Sequence, residues 1–143
     1  MADIVDKTWP RVAVIGCGYW GKNLARSFAA LGALEALADV DPAACEVLSA
    51  KYNVRSLSFD EVMADPAIQA VVIATPAATH HRLAKAALVA GKHVFVEKPL
   101  ALELKDAEDL CATAERLGRC LMVGHLLQYH PMFQALSALV RDG

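Results

Sequence analysis

The sequence contains no apolar run near the ~18 residues that a membrane-crossing helix needs. Its start, Met1-Ala-Asp-Ile4, lacks the basic segment ahead of an apolar stretch that marks a secretory leader. Net charge is also small, -2 in formal terms, so there is no electrostatic footprint for nucleic acid or an anionic membrane. The four cysteines (Cys17, Cys45, Cys111, Cys120) show no C-x-x-C spacing. That argues against zinc and thiol redox sites and leaves reduced, mostly buried thiols as the expectation. No pair of the five histidines has convincing metal spacing; His80 and His81 are adjacent and cannot comfortably chelate one ion. No metal is expected. There is no repeat, low-complexity segment or internal linker. With these exclusions the chain reads as cytoplasmic. Its 143 residues suit one domain, with a leader over residues 1–10 and the domain over 11–143. At 56% the hydrophobic share exceeds the roughly 45–50% of ordinary soluble domains. Either the core has two sides, or an apolar face awaits a partner.

What the sequence does have is Val12-Ala-Val-Ile-Gly16-Cys-Gly18-Tyr-Trp-Gly21, an apolar run breaking into glycine-x-glycine-x-x-glycine. This is the spacing of a dinucleotide-binding turn. The first glycine turns the chain sharply out of a strand. The second lets backbone approach a pyrophosphate, and the third lets the helix pack closely. The unsatisfied N–H groups of the helix that follows point at the phosphates. Alone the spacing is weak. Its context, a strand-like run before it and Leu24, Phe28 and Leu31 on one helix face after it, favours a cofactor site over a purely structural turn.

The rest of the chain alternates in the same way. Strands are expected at Arg11–Ile15, Leu34–Asp39, Val54–Ser56, Ala70–Ala74, His93–Val96 and Cys120–Val123. Between them run helices. Ala44, Val47, Leu48 and Tyr52 mark one inward face, and Leu83, Ala86, Ala87 and Ala90 another. Leu104, Ala107, Leu110, Cys111, Ala114 and Leu117 trace a third, and Phe133, Leu136, Leu139 and Val140 the last. Ser58-Phe-Asp-Glu61 has capping-box spacing and opens a short helix through Met63. Regular alternation implies right-handed crossovers and an α/β doubly wound parallel sheet of the Rossmann type, order 3-2-1-4-5-6, with helices on both faces. Ligands bind such sheets at the strand carboxyl ends, where the order reverses. The glycine turn, Asp39, Thr75-Pro76, Glu97-Lys98 and the 124–131 loop all fall there.

Asp39 stands roughly 20 positions beyond Gly16, where the fold puts a carboxylate for the adenosine ribose. Asp41 competes for the role, but Asp41-Pro42 reads more economically as an N-cap with proline at N1. Two carboxylates here would repel a 2′-phosphate, favouring NAD over NADP. Lys98 is the most interesting side chain for chemistry, because Pro99 biases it towards an extended conformation and a lysine in such a cleft is tuned as a proton donor or acceptor; on spacing alone a solvated loop lysine is the commoner reading. His93 reads as a structural hydrogen-bonding residue, one of His80 and His81 as solvent-facing, and His125 and His130 as flanking the pocket loop. Cys17 reads as a small filler, not a nucleophile.

Three stretches together resemble one family: Gly16-Cys-Gly-Tyr-Trp-Gly21; Thr75-Pro-Ala-Ala-Thr-His80 with Gly91-Lys-His-Val-Phe-Val-Glu97-Lys98-Pro99; and Val123-Gly124-His125. They are similar to the nucleotide-binding half of the glucose–fructose oxidoreductase / inositol dehydrogenase family. The resemblance implies an NAD-dependent oxidoreductase that moves hydride from a sugar or nucleotide-sugar carbinol carbon. It implies that Gly16, Gly18, Tyr19, Trp20, Gly21 and Asp39 hold the adenosine diphosphate half, and that Thr75, Pro76 and His80 line the cofactor groove. Glu97 and Lys98 would reach the nicotinamide ribose and substrate, with Lys98 assisting proton removal. The segment Gly124–Pro131, which carries Gln128 as a further cofactor-side candidate, is similar to members that oxidise nucleotide-linked amino sugars, often at the 3-hydroxyl. Family members continue into a second domain that supplies substrate contacts and the oligomer interface. This sequence stops at Arg141-Asp142-Gly143, about where that domain would begin. The expectation is therefore a truncated half-enzyme, inactive alone, or else a non-catalytic dinucleotide-binding module or a remnant that self-associates, as a homodimer or higher oligomer.

Overall fold

Four consecutive apolar residues with no polar alternation need cover on both sides, and Val12–Ile15 finds it. All four are buried in β1, the strand at the centre of the molecule. The computed structural model describes residues 9–143. Most of the leader expected over residues 1–10 lies outside the described residues. From β1 the chain runs through α1 (Tyr19–Ala30), β2 (Leu34–Ala38), α2 (Pro42–Tyr52), β3 (Arg55–Ser56), α3 (Phe59–Ala64) and β4 (Ala70–Ile73). A 3₁₀ turn (Ala77–Thr79) leads into α4 (His80–Val89), followed by β5 (His93–Val96), α5 (Leu104–Leu117) and β6 (Leu121–Val123). A second 3₁₀ turn (Leu126–Tyr129) and α6 (Pro131–Asp142) complete it. The sheet has six strands in the order β3-β2-β1-β4-β5-β6, and every pairing is parallel. The doubly wound expectation holds.

The alternation of β1 divides the core. Ala13 and Ile15 join the side packed by α3, α4 and α5, with Leu83, Leu88 and Leu110. Val12 and Val14 join the side packed by α1 and α2, with Ala25, Cys45 and Leu48. Local signals set the helix ends as read. Asp41 caps α2 by accepting from the Ala43 N–H at 3.0 Å, with Pro42 next. Ser58 and Glu61 close a reciprocal capping box on α3. Gly118 ends α5 in the left-handed region, φ 60°.

Several inward positions need correction. The buried stripe of α2 is Cys45, Leu48 and Ser49, so Val47 is exposed. Cysteine and serine hid the true phase of that face. Leu31 caps α1 and is exposed, because Gly21 and Ala25 carry the α1 stripe. In α4 the stripe is His80, Leu83, Ala84, Ala87 and Leu88, which turns Ala90 outward. Leu104 and Cys111 are exposed on α5, and with Cys120 also exposed only Cys17 and Cys45 are buried thiols. The largest departure is α6. Phe133, Leu136, Leu139 and Val140 are 39%, 57%, 71% and 77% exposed. The apolar period is present, but α6 rests mainly on the 3₁₀ turn before it, and no described element covers that face.

Candidate cofactor and active site

The three glycines of the turn are required for different reasons. Gly16 has φ +97°, and a Cβ there would sit 2.7 Å from the Ala74 carbonyl oxygen. Only glycine turns the chain here between β1 and the end of β4. At Gly21 a Cβ would be 1.7 Å from the Gly16 carbonyl oxygen, so the first turn of α1 lies directly on the glycine loop. Gly18 is the exception. It has ordinary dihedrals (φ -70°) as the N-cap of α1, and a Cβ would meet nothing within 4 Å. Nothing among the described residues demands a glycine there. The open side of Gly18 is a cleft of about 740 Å³ lined by Gly16, Gly18, Asp39, Thr75 and Pro76 among others. No side chain caps α1 and its first turn holds no acid, so the orphan N–H groups of that helix end are left for an anion.

Asp39 follows β2 on the opposite lip. Its Oδ2 accepts from the Cys17 N–H at 2.5 Å and its Oδ1 from the Asp41 N–H at 2.8 Å. The carboxylate thus braces the glycine turn from across the sheet while facing the cleft. Asp41 is spent on its cap, as expected, and does not line the cleft. Cys17 is buried beneath the turn; burial, together with neighbouring Cys45 and Asp39, pushes its thiol up to about 12. Such a thiol carries almost no thiolate at neutral pH, in keeping with a filler.

The β4–α4 loop forms the next wall. Thr79 Oγ1 donates to the Pro76 carbonyl at 2.7 Å, which leaves Thr75 Oγ1 as the donor of the 2.7 Å bond between the two hydroxyls. Beyond it the Glu97-Lys98-Pro99 turn, with a cis peptide before Pro99, edges a second groove of about 480 Å³. Trp20, Glu97, Lys98, Gly124, His125 and Gln128 line it, with apolar Leu126, Leu127 and Phe133. Lys98 is exposed there, its amine without a hydrogen bond or ion pair among the described residues. Glu97 is 5% exposed, and its Oε1 is buried with no hydrogen-bond partner among the described residues. A Cβ at Gly124 would lie 3.3 Å from that oxygen and 2.9 Å from the Phe95 ring. A buried carboxylate oxygen with no partner is costly, and a ligand hydroxyl in the groove would satisfy it.

Of the residues picked from the sequence, Gly16, Gly18, Asp39, Thr75 and Pro76 meet in the cleft, and Trp20, Glu97, Lys98 and Gln128 in the groove. Gly21 works from behind the turn. The Tyr19 ring lines neither space; it is exposed and meets Trp20 edge to face. His80 must be corrected. It is 1% exposed, with Nδ1 2.7 Å from the Pro99 carbonyl and Nε2 2.8 Å from the Thr75 carbonyl, so it backs the wall and does not line it. Its place at the head of the Leu83–Leu88 stripe was the available signal. His81 pairs with Asp109 at 2.7 Å, His93 Nδ1 accepts from the Cys120 N–H, and His130 Nδ1 accepts from the Met132 N–H. The sequence reading missed Phe59, Asp60 and Arg82 in the cleft wall. All three sit early in helices that start above strand carboxyl ends, a position that could have flagged them.

Residues 10–125 match the family model described as "Oxidoreductase family, NAD-binding Rossmann fold". The chain is 33% identical over 127 residues to UDP-N-acetylglucosamine 3-dehydrogenase of Acidithiobacillus ferrooxidans, covering 88% of this chain and 40% of that protein. Among solved structures, GenD2 from gentamicin A biosynthesis, in complex with NAD, aligns with TM-score 0.88 and 34% identity over 94% of this chain and 39% of its own. KijD10, a 3-ketoreductase from Actinomadura kijaniata holding NADP and TDP-benzene, aligns with TM-score 0.86 and 27% identity, over 94% and 43%. The chain thus spans about two fifths of the relatives it matches. With the glycine turn, the sheet order and the matched span in agreement, the chain belongs to the GFO_IDH_MocA oxidoreductase family, as its NAD-binding Rossmann domain.

Proposed function

We propose that this chain is the NAD(H)-binding half of a dehydrogenase that oxidises a hydroxyl-bearing carbon of a sugar or nucleotide-linked sugar. The observation that carries the reading is Gly18: a glycine the fold does not need, at a helix N-terminus left uncapped, facing a cleft. NAD, when bound, accepts the hydride. The residues then have distinct tasks. The glycine turn holds the pyrophosphate, and Asp39 the adenosine ribose hydroxyls with the lone pairs its backbone bonds leave free. Glu97 Oε1 takes a ribose or substrate hydroxyl in the groove, and Trp20 and Gln128 bound the nicotinamide end. Lys98 Nζ accepts the hydroxyl proton as the carbinol C–H is lost. Asp39 and Asp60 on the cleft wall disfavour a 2′-phosphate, so NAD is preferred to NADP; among the described residues Arg82 is the only cation on that wall.

Calorimetric titration with NADH and NADPH tests the first half of the reading, and a folded chain that ignores both at millimolar concentration would sink it. Supplying the remaining residues of a relative tests the second half. Turnover should appear there, and Lys98→Ala should abolish it while leaving NADH affinity nearly intact. The exposed apolar face of α6 favours one other reading, a dinucleotide-binding module that self-associates without turnover. Sedimentation of the chain alone and absence of turnover after complementation would favour that alternative.

A further inference from the structure

We propose that His80 is a positioning residue, a two-armed tie that fixes the Lys98-Pro99 turn against the Thr75-Pro76 turn and so sets the nicotinamide groove relative to the adenosine cleft. This rests on the cofactor reading for its consequence, though not for its geometry. The last ladder bond between β4 and β5 runs from the Glu97 N–H to the Ile73 carbonyl at 2.9 Å. Past it, both chains leave the sheet as loops. Among the described residues the hydrogen-bonded link between those loops is the His80 ring, from the Thr75 carbonyl at 2.8 Å to the Pro99 carbonyl at 2.7 Å. Thr75 lines the cleft, and Lys98, next to Pro99, lines the groove.

Volume alone does not account for a histidine at this position. The other members of its buried stripe are Leu83, Ala84, Ala87 and Leu88, and an aliphatic side chain would fill the space without the cost of desolvating a polar ring. What the ring adds is direction. Both partners are carbonyl oxygens, which only accept, so each contact takes an N–H from the ring. A neutral imidazole has one N–H and can fill one contact. Filling both takes a proton on each nitrogen. With only one proton the other nitrogen's lone pair would face a carbonyl oxygen where no water reaches, and one loop would be released.

The test compares the unmutated chain with His80→Gln and His80→Leu. ADP and NADH are titrated into each by calorimetry, and ¹H–¹⁵N spectra of the imidazoles are recorded on the unmutated chain without nucleotide. ADP needs only the cleft, whereas NADH needs cleft and groove in register. Leucine should lower NADH affinity about tenfold or more while ADP affinity stays within about twofold, and glutamine, which keeps amide donors, should recover part of the loss. The spectrum should show two slowly exchanging N–H protons on the His80 ring. Equal losses for ADP and NADH, no loss with leucine, or a ring with a single N–H would each overturn the tie. If the unmutated chain binds neither nucleotide the cofactor reading falls separately, and the ring spectrum, which needs no variant to fold, still decides the geometry.

Discussion

Gly18→Ala separates what the fold needs from what the ligand needs. The new methyl would meet no atom within 4 Å, and the backbone there already has φ -70°. Two small effects on stability oppose each other. Losing glycine's freedom in the unfolded chain favours the variant by about 0.4–1 kcal/mol. Alanine is a poorer N-cap than glycine by a similar amount, about 0.5–1 kcal/mol. The net should lie within about 1 kcal/mol of zero, a shift in Tm of no more than about 5 °C. In the cleft the same methyl would occupy the space that the proposed reading gives to the pyrophosphate. Overpacking of this kind costs about 1–3 kcal/mol, or roughly 5- to 150-fold in affinity. Gly21→Ala provides the contrast: its Cβ would lie 1.7 Å from the Gly16 carbonyl oxygen, so it should damage folding first. The assay is thermal unfolding of both variants beside an NADH titration followed by tryptophan fluorescence. A Gly18→Ala chain that binds NADH as tightly as its parent would refute the assignment of the cleft.

Asp39→Ala removes the acceptor for two backbone N–H groups and, on the proposed reading, a ligand of the adenosine ribose. NADH affinity should fall by one to two decades, and stability by about 1–3 kcal/mol, which urea titration would measure. Lys92 is buried with its amine on the Asp65 and Ile68 carbonyls. Lys92→Met leaves the Ile68 carbonyl without its lysine partner and the Asp65 carbonyl with only the 3.3 Å bond from the Ile68 N–H, and should cost about 1–3 kcal/mol, seen as a lower urea midpoint with an unchanged slope. Hydrogen bonds from His81 and Lys85 hold the Asp109 carboxyl below the usual carboxylate range. A carboxyl lowered in the folded state stabilises above its unfolded pKa and loses that contribution as pH falls through its folded value. The stability difference between the parent and Asp109→Asn should therefore shrink from about pH 5 down to about pH 2, and a constant difference over that range would remove Asp109 from the link between α4 and α5.

The sheet order and the turn were legible because each is written in a local pattern. A four-residue apolar run means a strand covered on both faces, and Gly16 and Gly21 are fixed by contacts with backbone nearby in the fold. Asp39 was legible by spacing, but its grip on the Cys17 N–H was not, since that bond joins two loops that only the sheet brings together. His80 was misread for the same reason in reverse. The motif carrying it borders the cleft, while its helical phase points it inward, and phase prevailed. Polar members of buried stripes, Ser49 and Thr113 among them, blurred the faces of α2 and α5.

The last helix shows the limit of periodicity as an argument. Phe133, Leu136, Leu139 and Val140 repeat as a core-facing stripe should, yet all are exposed. A hydrophobic period states that a face gains by leaving water; it says nothing about which surface removes it. Within β1 that surface is supplied by neighbouring strands and by helices on both sides, so pattern and burial agree. At α6 the pattern stands without a cover among the described residues, beside the groove that Phe133 shares with Glu97 and Lys98. A partner packed on that helix would lie beside the groove at Phe133. On the proposed chemistry, a cover over Phe133 would also shield the groove from water, so hydride transfer is expected to depend on covering the α6 face.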